Sequence, residues 1–228
     1  MKRNTLRFTC LCGLFFSIYI FSGCAGPNLY SVNMYYDAER AIIPAYLSAD
    51  VKISDDAVSV AEFTDTRQMD DRLVIGRVVE NDDTKVLIFP KNVRATKTIA
   101  SGIKKYLRKA GYKVAEKNEQ WNLKEENIPM GDSQVLIGGN IEELEVSCRR
   151  GFPTNSYKSN IKLNFVFADI AKGKILYKNT VESSYSEERV LFSENILGEQ
   201  ADIVLADAIE KLFEDKTVAQ KLKEAIIK

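Results

Sequence analysis

The sequence predicts an α+β domain, a two-layer sandwich in which a mainly antiparallel sheet carries two helices on one face. Three observations lead there. Most of the chain beyond residue 50 alternates apolar and polar residues with a period of two, the mark of half-buried strands. Two stretches, near 92–110 and 194–214, switch to the helical period. The strands of the second half follow one another through short turns, as antiparallel neighbours do.

Residues 25–50 hold Gly26-Pro27, Pro44 and the tyrosines Tyr30, Tyr35, Tyr36 and Tyr46 without a sustained period. They read as a tether with a short segment leaning on the domain. The tyrosines have two readings, resting at a membrane or on a partner, or covering the domain's own apolar edge. The first core strand is Ala57 to Phe63, with Val58 and Val60 on one face, and Thr64-Asp65-Thr66-Arg67 ends it. Leu73 to Val79 and Lys85 to Phe89 flank the turn Glu80 to Thr84, a hairpin placed at the sheet edge and stopped by Pro90.

From Asn92, Val93, Ala100, Ile103, Leu107 and Ala110 share a helix face, with Lys97, Lys104, Lys105, Arg108 and Lys109 mostly opposite as a solvated basic face. Gly111 suits the helix end, where basic residues complement the dipole. Tyr112 to Ala115 is a short strand, and the polar stretch 116–133, with Trp121, is a long loop. Val135, Ile137 and Ile141 are apolar at odd numbers, Leu144, Val146 and Cys148 at even ones, so a bulge at Glu142-Glu143 must keep both halves facing the core. Gly138-Gly139 inside this strand marks close packing, not a phosphate loop. Two more strands follow, one carrying Ile161, Leu163, Phe165 and Phe167, the other Ile175, Tyr177, Val181 and Tyr185, joined by a loop with Gly173. The second helix runs 194–214, capped by Ser193, with Leu197, Ala201, Val204, Leu205, Ala208 and Leu212 as its buried stripe. An amphipathic turn or two with Val218, Leu222, Ala225 and Ile226 ends the chain.

The N-terminus states a destination. Lys2, Arg3 and Arg7 precede an apolar run from Phe8 to Phe21, too short for a comfortable membrane span but suited to a secretory signal. The run closes in Phe21-Ser22-Gly23-Cys24, which resembles the lipobox of bacterial lipoproteins. The resemblance implies acylation of Cys24 after cleavage before it, and Ala25, where some lipoproteins carry Asp, implies the periplasmic face of the outer membrane. The expected organisation is therefore a signal peptide over 1–23, lipidated Cys24 and tether over 24–50, and a single periplasmic domain over 51–228. Without residues 1–23 the chain has 29 basic and 32 acidic side chains, a net charge of −3, with no basic footprint for nucleic acid. The expected partners are the membrane, held through N-terminal acyl chains, and an envelope protein, with no nucleic acid. Cys10 and Cys12 leave with the signal, and Cys148 continues an apolar alternation as a small buried hydrophobe.

Candidate chemistry is sparse. The chain has no His, which removes imidazole triads and most zinc and haem sites. Ser101 and Lys104 match a Ser-x-x-Lys nucleophile motif but lack its partner motifs, and Ile103 between them is needed in the core. Asp65, Asp70, Asp71, Asp82 and Asp83 lack the spacing of a cation loop and read as turn carboxylates. Glu142, Glu143 and Glu145 beside the bulge lack the aromatic cleft of a glycan hydrolase. The expectation is a protein that is not an enzyme, with no catalytic residue, no metal ligand and no cofactor.

Val58 to Arg67 with its closing Asp65-Thr66-Arg67, Ile75-Gly76 downstream, and a helix ending in Ala110-Gly111-Tyr112 before a strand-rich half and a last helix together resemble the YajG-type outer-membrane lipoproteins. The layout, over about residues 55–215, is also similar to auxiliary lipoproteins of envelope ABC and lipid-transport systems. The resemblance implies a non-enzymatic envelope lipoprotein in which Asp65 and Arg67 are set by turn and pairing geometry. The expected function is an accessory or assembly component of an envelope complex. The alternative is a lipid or glycolipid carrier, with an apolar cavity lined by residues such as Phe165, Phe167 and Val204.

Overall fold

A computed structural model of the 228-residue chain describes residues 29–48 and 58–226. The expected signal peptide over 1–23 and the expected lipidation site Cys24 lie outside these described residues. Strands β1 (Leu29–Val32), β2 (Val58–Ala61), β3 (Thr64–Asp65), β4 (Gly76–Val79), β5 (Lys85–Pro90), β6 (Val114–Glu119), β7 (Val135–Arg149), β8 (Asn155–Asp169) and β9 (Lys174–Arg189) form one nine-stranded sheet. The helices are α1 (Ala95–Lys109), α2 (Glu194–Glu214) and α3 (Lys216–Ile226).

The α+β class stands, with two corrections. The sheet is mixed: β1·β5, β2·β6, β2·β7, β3·β7 and β4·β7 run parallel, whereas β4·β5, β7·β8 and β8·β9 run antiparallel. The cause is α1, which carries the chain back across the sheet so that β6 lies parallel beside β2. Alternation reveals which face of a strand is buried and is silent on which strand lies alongside. The second correction is α3, a helix of 11 residues that buries Val218, Leu222 and Ala225, where a turn or two was expected.

β7 is the axis. One edge pairs with β8 along nearly its whole length. Its other edge is shared by β2 at Val135–Ile137, β3 at Asn140–Ile141 and β4 at Val146–Arg149. The bulge falls where the sequence requires one: Ile141 faces Leu163 and Glu143 faces Lys162, leaving Glu142 as the extra residue. Ile141 and Leu144 are consequently both buried.

The helices lie against one sheet face in a continuous core. α1 contributes Ile99, Ile103, Tyr106 and Leu107, and ends at Gly111, whose φ of 93° suits a residue without Cβ. In α2 the Ser193 hydroxyl accepts from the Ile196 N–H at 3.3 Å, and Leu197, Val204, Leu205 and Leu212 are buried. A smaller cluster on the opposite face joins Ala61, Leu136, Val166 and Ala168 to Trp121, whose indole N–H donates to the Lys124 carbonyl at 2.9 Å. The stretch read as a polar loop thus extends β6 to Glu119 and then folds an aromatic over the sheet. Gly138 makes that possible, because a Cβ there would lie 2.8 Å from the indole.

The stretch read as a tether and a leaning segment is largely built into the domain. β1 adds to β5, covering the hairpin that the sequence placed at the edge. Tyr36 and Leu47 are buried in the core. Tyr30 and Tyr46 donate to Glu80 at 2.8 Å and to the Glu214 carbonyl at 2.6 Å, so of the two readings for the tyrosines the structure favours cover for the domain's own edge. The Tyr35 N–H donates to the Asp202 carboxylate of α2 at 2.6 Å. Burial outweighs that hydrogen bond and raises the Asp202 pKa from 3.8 to about 6.

Between pH 3.8 and about 6 the folded protein therefore holds a proton at Asp202 that the unfolded chain has released, so this group's contribution to stability falls as pH rises through that window. Asp202→Asn keeps an acceptor for Tyr35 and cannot titrate. Thermal midpoints measured across the window are expected to show a shallower decline for Asp202→Asn than for wild type, with the variant at least as stable at neutral pH. Parallel curves would contradict the assignment.

Candidate functional site

Where β3 ends, the sheet forks. The Thr66 N–H still pairs with the Ile141 carbonyl at 3.0 Å, and its hydroxyl donates to the same oxygen at 2.9 Å. The chain then leaves β7, returning when the Val146 N–H donates to the Ile75 carbonyl at 2.8 Å. Gly76 sits at that return because a Cβ there would fall 1.7 Å from the Val146 carbonyl oxygen. This accounts for Ile75-Gly76 in the sequence pattern.

Arg67 fills the fork. Its Nη1 donates to the carbonyls of Val74 at 2.9 Å and Leu144 at 3.0 Å. Nη2 donates to Asp65 Oδ2 and to the Arg72 carbonyl, both at 2.7 Å, and Nε donates to Asp65 Oδ1 at 3.0 Å. The five guanidinium N–H groups are all engaged inside the protein. With side chains 6% and 12% exposed, Arg67 and Asp65 form a shielded pair that spans the gap between β3, β4 and β7. The family resemblance expects these two residues to be set by turn and pairing geometry, and this is the geometry that sets them. Pattern reading missed that Arg67 bonds across the sheet to Leu144; its signal was an Asp and an Arg two residues apart just beyond a core strand.

Two grooves flank the fork. One, of about 400 Å³, is lined by Phe63, Asp65, Arg72, Leu73, Arg94 and Trp121 among others. The second, of about 610 Å³, is lined by Arg67, Asp70, Arg77, Leu87, Glu143 and Glu145 among others. Both mix charges of either sign. Asp65 and Arg67 contribute to the walls, but their polar atoms are committed to each other and to backbone.

The remaining sequence candidates separate. Ser101 is exposed on α1, whereas Lys104 is buried and donates to the Glu116 carbonyl at 2.6 Å. Burial, with Arg108 beside it, holds the Lys104 pKa below the ordinary lysine value. The basic face of α1 is not simply solvated, which corrects the reading of that face from the sequence. Besides Lys104, Arg108 donates to the Val114 carbonyl at 3.1 Å, Lys109 donates to the Glu39 carbonyl at 2.6 Å, and Lys105 lies 4.0 Å from the centre of the Tyr35 ring. Glu142, Glu143 and Glu145 turn to separate partners, Lys162 at 3.7 Å, Asn160 at 3.3 Å and Arg77 at 2.9 Å. Asp71 and Asp82 accept from the N–H groups of Leu73 and Thr84, as turn carboxylates do. Among the described residues no group of three or more His, Cys, Asp and Glu is placed to hold a metal ion. Cys148 is buried, and burial pushes its thiol up to about 11, so it packs as a neutral hydrophobe.

The apolar cavity expected of a carrier is absent at its named lining. Phe165, Phe167 and Val204 are at most 1% exposed, which leaves no water-sized space beside them. Phe63 stands edge-on to Phe165 at 5.5 Å, and Tyr177 lies 6.3 Å from Phe167.

No protein-family model matches the chain, and no curated protein sequence does. Among solved structures it is similar to a Xanthomonas campestris protein of the DUF330 family, with a TM-score of 0.51 and 11% identity over 86% of this chain and 99% of that one. A Neisseria meningitidis lipoprotein aligns with a TM-score of 0.28 and 11% identity over 67% of this chain and 96% of that one. PelC, a dodecamer from Paraburkholderia phytofirmans, aligns at 0.37 with 16% identity over 75% and 95%. The first similarity shows the fold; the other two scores are too low to carry a conclusion.

Asp65→Asn leaves the buried Arg67 without its counter-charge and is expected to destabilise the protein by about 3 kcal/mol in urea unfolding. Arg67→Met removes the charge but also strands the carbonyls of Val74, Leu144 and Arg72, so in a double-mutant cycle the pair is expected to lose less than the sum of the two single variants. Additive losses would contradict a coupled pair.

Proposed function

We propose that this chain is a lipid-anchored envelope protein, acylated at Cys24 and held at the periplasmic face of the outer membrane, where it serves a non-enzymatic accessory or assembly role in an envelope complex. The observation that carries the reading is the order of the N-terminus: a basic start, an apolar run of signal length, and Ser22-Gly23-Cys24 at its end. Two or three acyl chains on one residue suffice for stable anchoring, which a single chain does not provide. Among the described residues no helix is long and apolar enough to cross a membrane, so the acyl chains would supply the attachment.

The accessory role is supported by what the candidate residues are engaged in. Asp65, Asp71, Asp82, Asp83, Glu142, Glu143 and Glu145, and the buried Lys104, are engaged by turns, ion pairs, side-chain amides or backbone carbonyls of the chain itself. The grooves beside the fork offer a partner mixed charge and apolar rims, surfaces for contact more than for bond-making. A fold shared with the DUF330 protein is compatible with this role, and the YajG-type resemblance adds the outer-membrane location to the proposal. The packed lining at Phe165, Phe167 and Val204 removes the motive for the carrier alternative.

Expressed in a lipoprotein-processing Gram-negative cell, the wild-type chain is expected to appear in the membrane fraction with an acylated N-terminal cysteine by mass spectrometry. Cys24→Ser is expected to lose the acyl mass and leave that fraction. Chemical crosslinking of the wild type in its native membrane should recover a reproducible envelope protein. A Cys24→Ser protein that stays membrane-bound overturns the anchor, and repeated recovery of the wild type alone overturns the accessory role.

A further inference from the structure

Four exposed apolar side chains gather at the end of the sheet where the described chain begins. Leu29, the first residue of β1, is 53% exposed; Phe152 is 100% exposed, and Val190 and Leu191 are 72% and 75% exposed. The register puts them at one end. Leu29 is level with Leu87, Leu87 with Arg77, and Arg77 with Ser147, two residues before β7 ends and the turn bearing Phe152 begins. Asn155 pairs with Arg189, so Val190 and Leu191 emerge beside that turn, and the Tyr157 hydroxyl holds the Leu191 carbonyl at 3.1 Å.

Their chain neighbours meet in one knot. The Tyr30 ring stands edge-on to Phe192 at 5.2 Å, and the Arg150 guanidinium lies 4.4 Å from the centre of the same ring. The Tyr30 hydroxyl and Arg150 both bond to Glu80, at 2.8 and 3.3 Å. Nearby cations are also paired, Arg149 with Asp83 at 3.2 Å and Arg189 with Glu187 at 2.7 Å. Three of the four belong to no amphipathic pattern that the core explains: Phe152, Val190 and Leu191 lie in connections, where polar residues are the rule. An apolar group of this kind on a soluble face marks contact with something else.

What it contacts follows from chain length. Cys24 is five residues before Leu29, a reach of at most about 18 Å at full extension. We propose that this end of the domain rests on the bilayer in which Cys24 is anchored, with Phe152, Val190 and Leu191 seated among the lipid headgroups and acyl boundary. The proposal rests on acylation of Cys24. The acyl chains bring the domain to the membrane; the apolar tip fixes which way it faces, leaving the opposite end, where fully exposed Met130 lies five residues before β7 begins, turned toward the periplasm.

The test uses the full chain, processed and acylated, reconstituted in phosphatidylethanolamine–phosphatidylglycerol vesicles. An environment-sensitive NBD fluorophore is attached at Phe152→Cys and, separately, at Met130→Cys; Cys148 is buried and protonated and does not compete. The N-terminal acyl mass is read on the same samples. Doxyl-labelled phosphatidylcholine is expected to quench the probe at 152 and leave that at 130 bright, and adding Val190→Ser with Leu191→Ser should weaken quenching at 152 while the protein stays on the vesicles. An acylated protein with an unquenched probe at 152, or with equal quenching at both positions, overturns the membrane-facing tip while leaving the anchor intact. A blue-shifted 152 probe that doxyl lipid does not quench is covered by protein and overturns the proposal as well. Absence of the acyl mass overturns the anchor and this orientation with it.

Discussion

The guanidinium of Arg67 bonds to one carboxylate and three backbone carbonyls inside the protein, and much of the sheet's plan depends on that arrangement. β7 has one edge to offer and two groups of strands that use it. β2 and β3 take its first half and β4 takes its last residues, leaving Glu142 to Glu145 without a strand partner on that side. An empty gap would strand carbonyls such as that of Leu144, at about 1–3 kcal/mol for each buried unsatisfied group. A single flat donor fork closes it. Burying a cation carries its own desolvation cost, and Asp65, two residues away in sequence, offsets it as a bidentate partner, Oδ1 accepting from Nε and Oδ2 from Nη2. A lysine has the charge but neither the fork nor the donor count to span the same acceptors.

The fork also bears on how the proposed anchor at Cys24 would be tied to the core. β1 reaches β7 only by way of β5 and β4, the branch that Arg67 secures at the fork. Helix α2 provides a second hold, because Gly198 brings its backbone against the Asn33 carbonyl and Asp202 takes the Tyr35 N–H. A domain pulled by acyl chains at Cys24 would thus be loaded through a short antiparallel hairpin and a helix face together. The Tyr30–Glu80–Arg150–Phe192 knot binds these parts to the β7–β8 turn, so the apolar tip and the first strand form one local structure.

Much of this was legible in residues. The period of α2, its Ser193 cap and its stripe were readable because burial on one side of a long helix imposes a repeat that nothing else produces. The bulge at Glu142 was readable because a change from odd to even apolar positions has few other solutions. Cys148 and Gly138-Gly139 were read correctly as packing for the same reason. Parallel pairing was not readable, since β2, β4 and β7 look alike whichever neighbour they take. Nor was the weight of the N-terminal segment: Tyr36 and Leu47 are core residues on a stretch without regular period, where each fills a separate site. Trp121 hid in polar surroundings because its stretch buries one ring and little more. Arg67 was noticed as part of Asp65-Thr66-Arg67, yet its bonds to Leu144 and Val74 are contacts that only the fold brings together.

The measurement that tests the fork most directly is native-state amide hydrogen exchange, residue by residue, on wild type and on Arg67→Lys. If Arg67 secures one branch of the sheet, the variant loses protection at Ile75, Val146 and along β4, β5 and β1, while β8, β9 and the β2–β6 pair keep theirs. Unchanged protection in that branch, or an even loss over the whole sheet, would contradict the account.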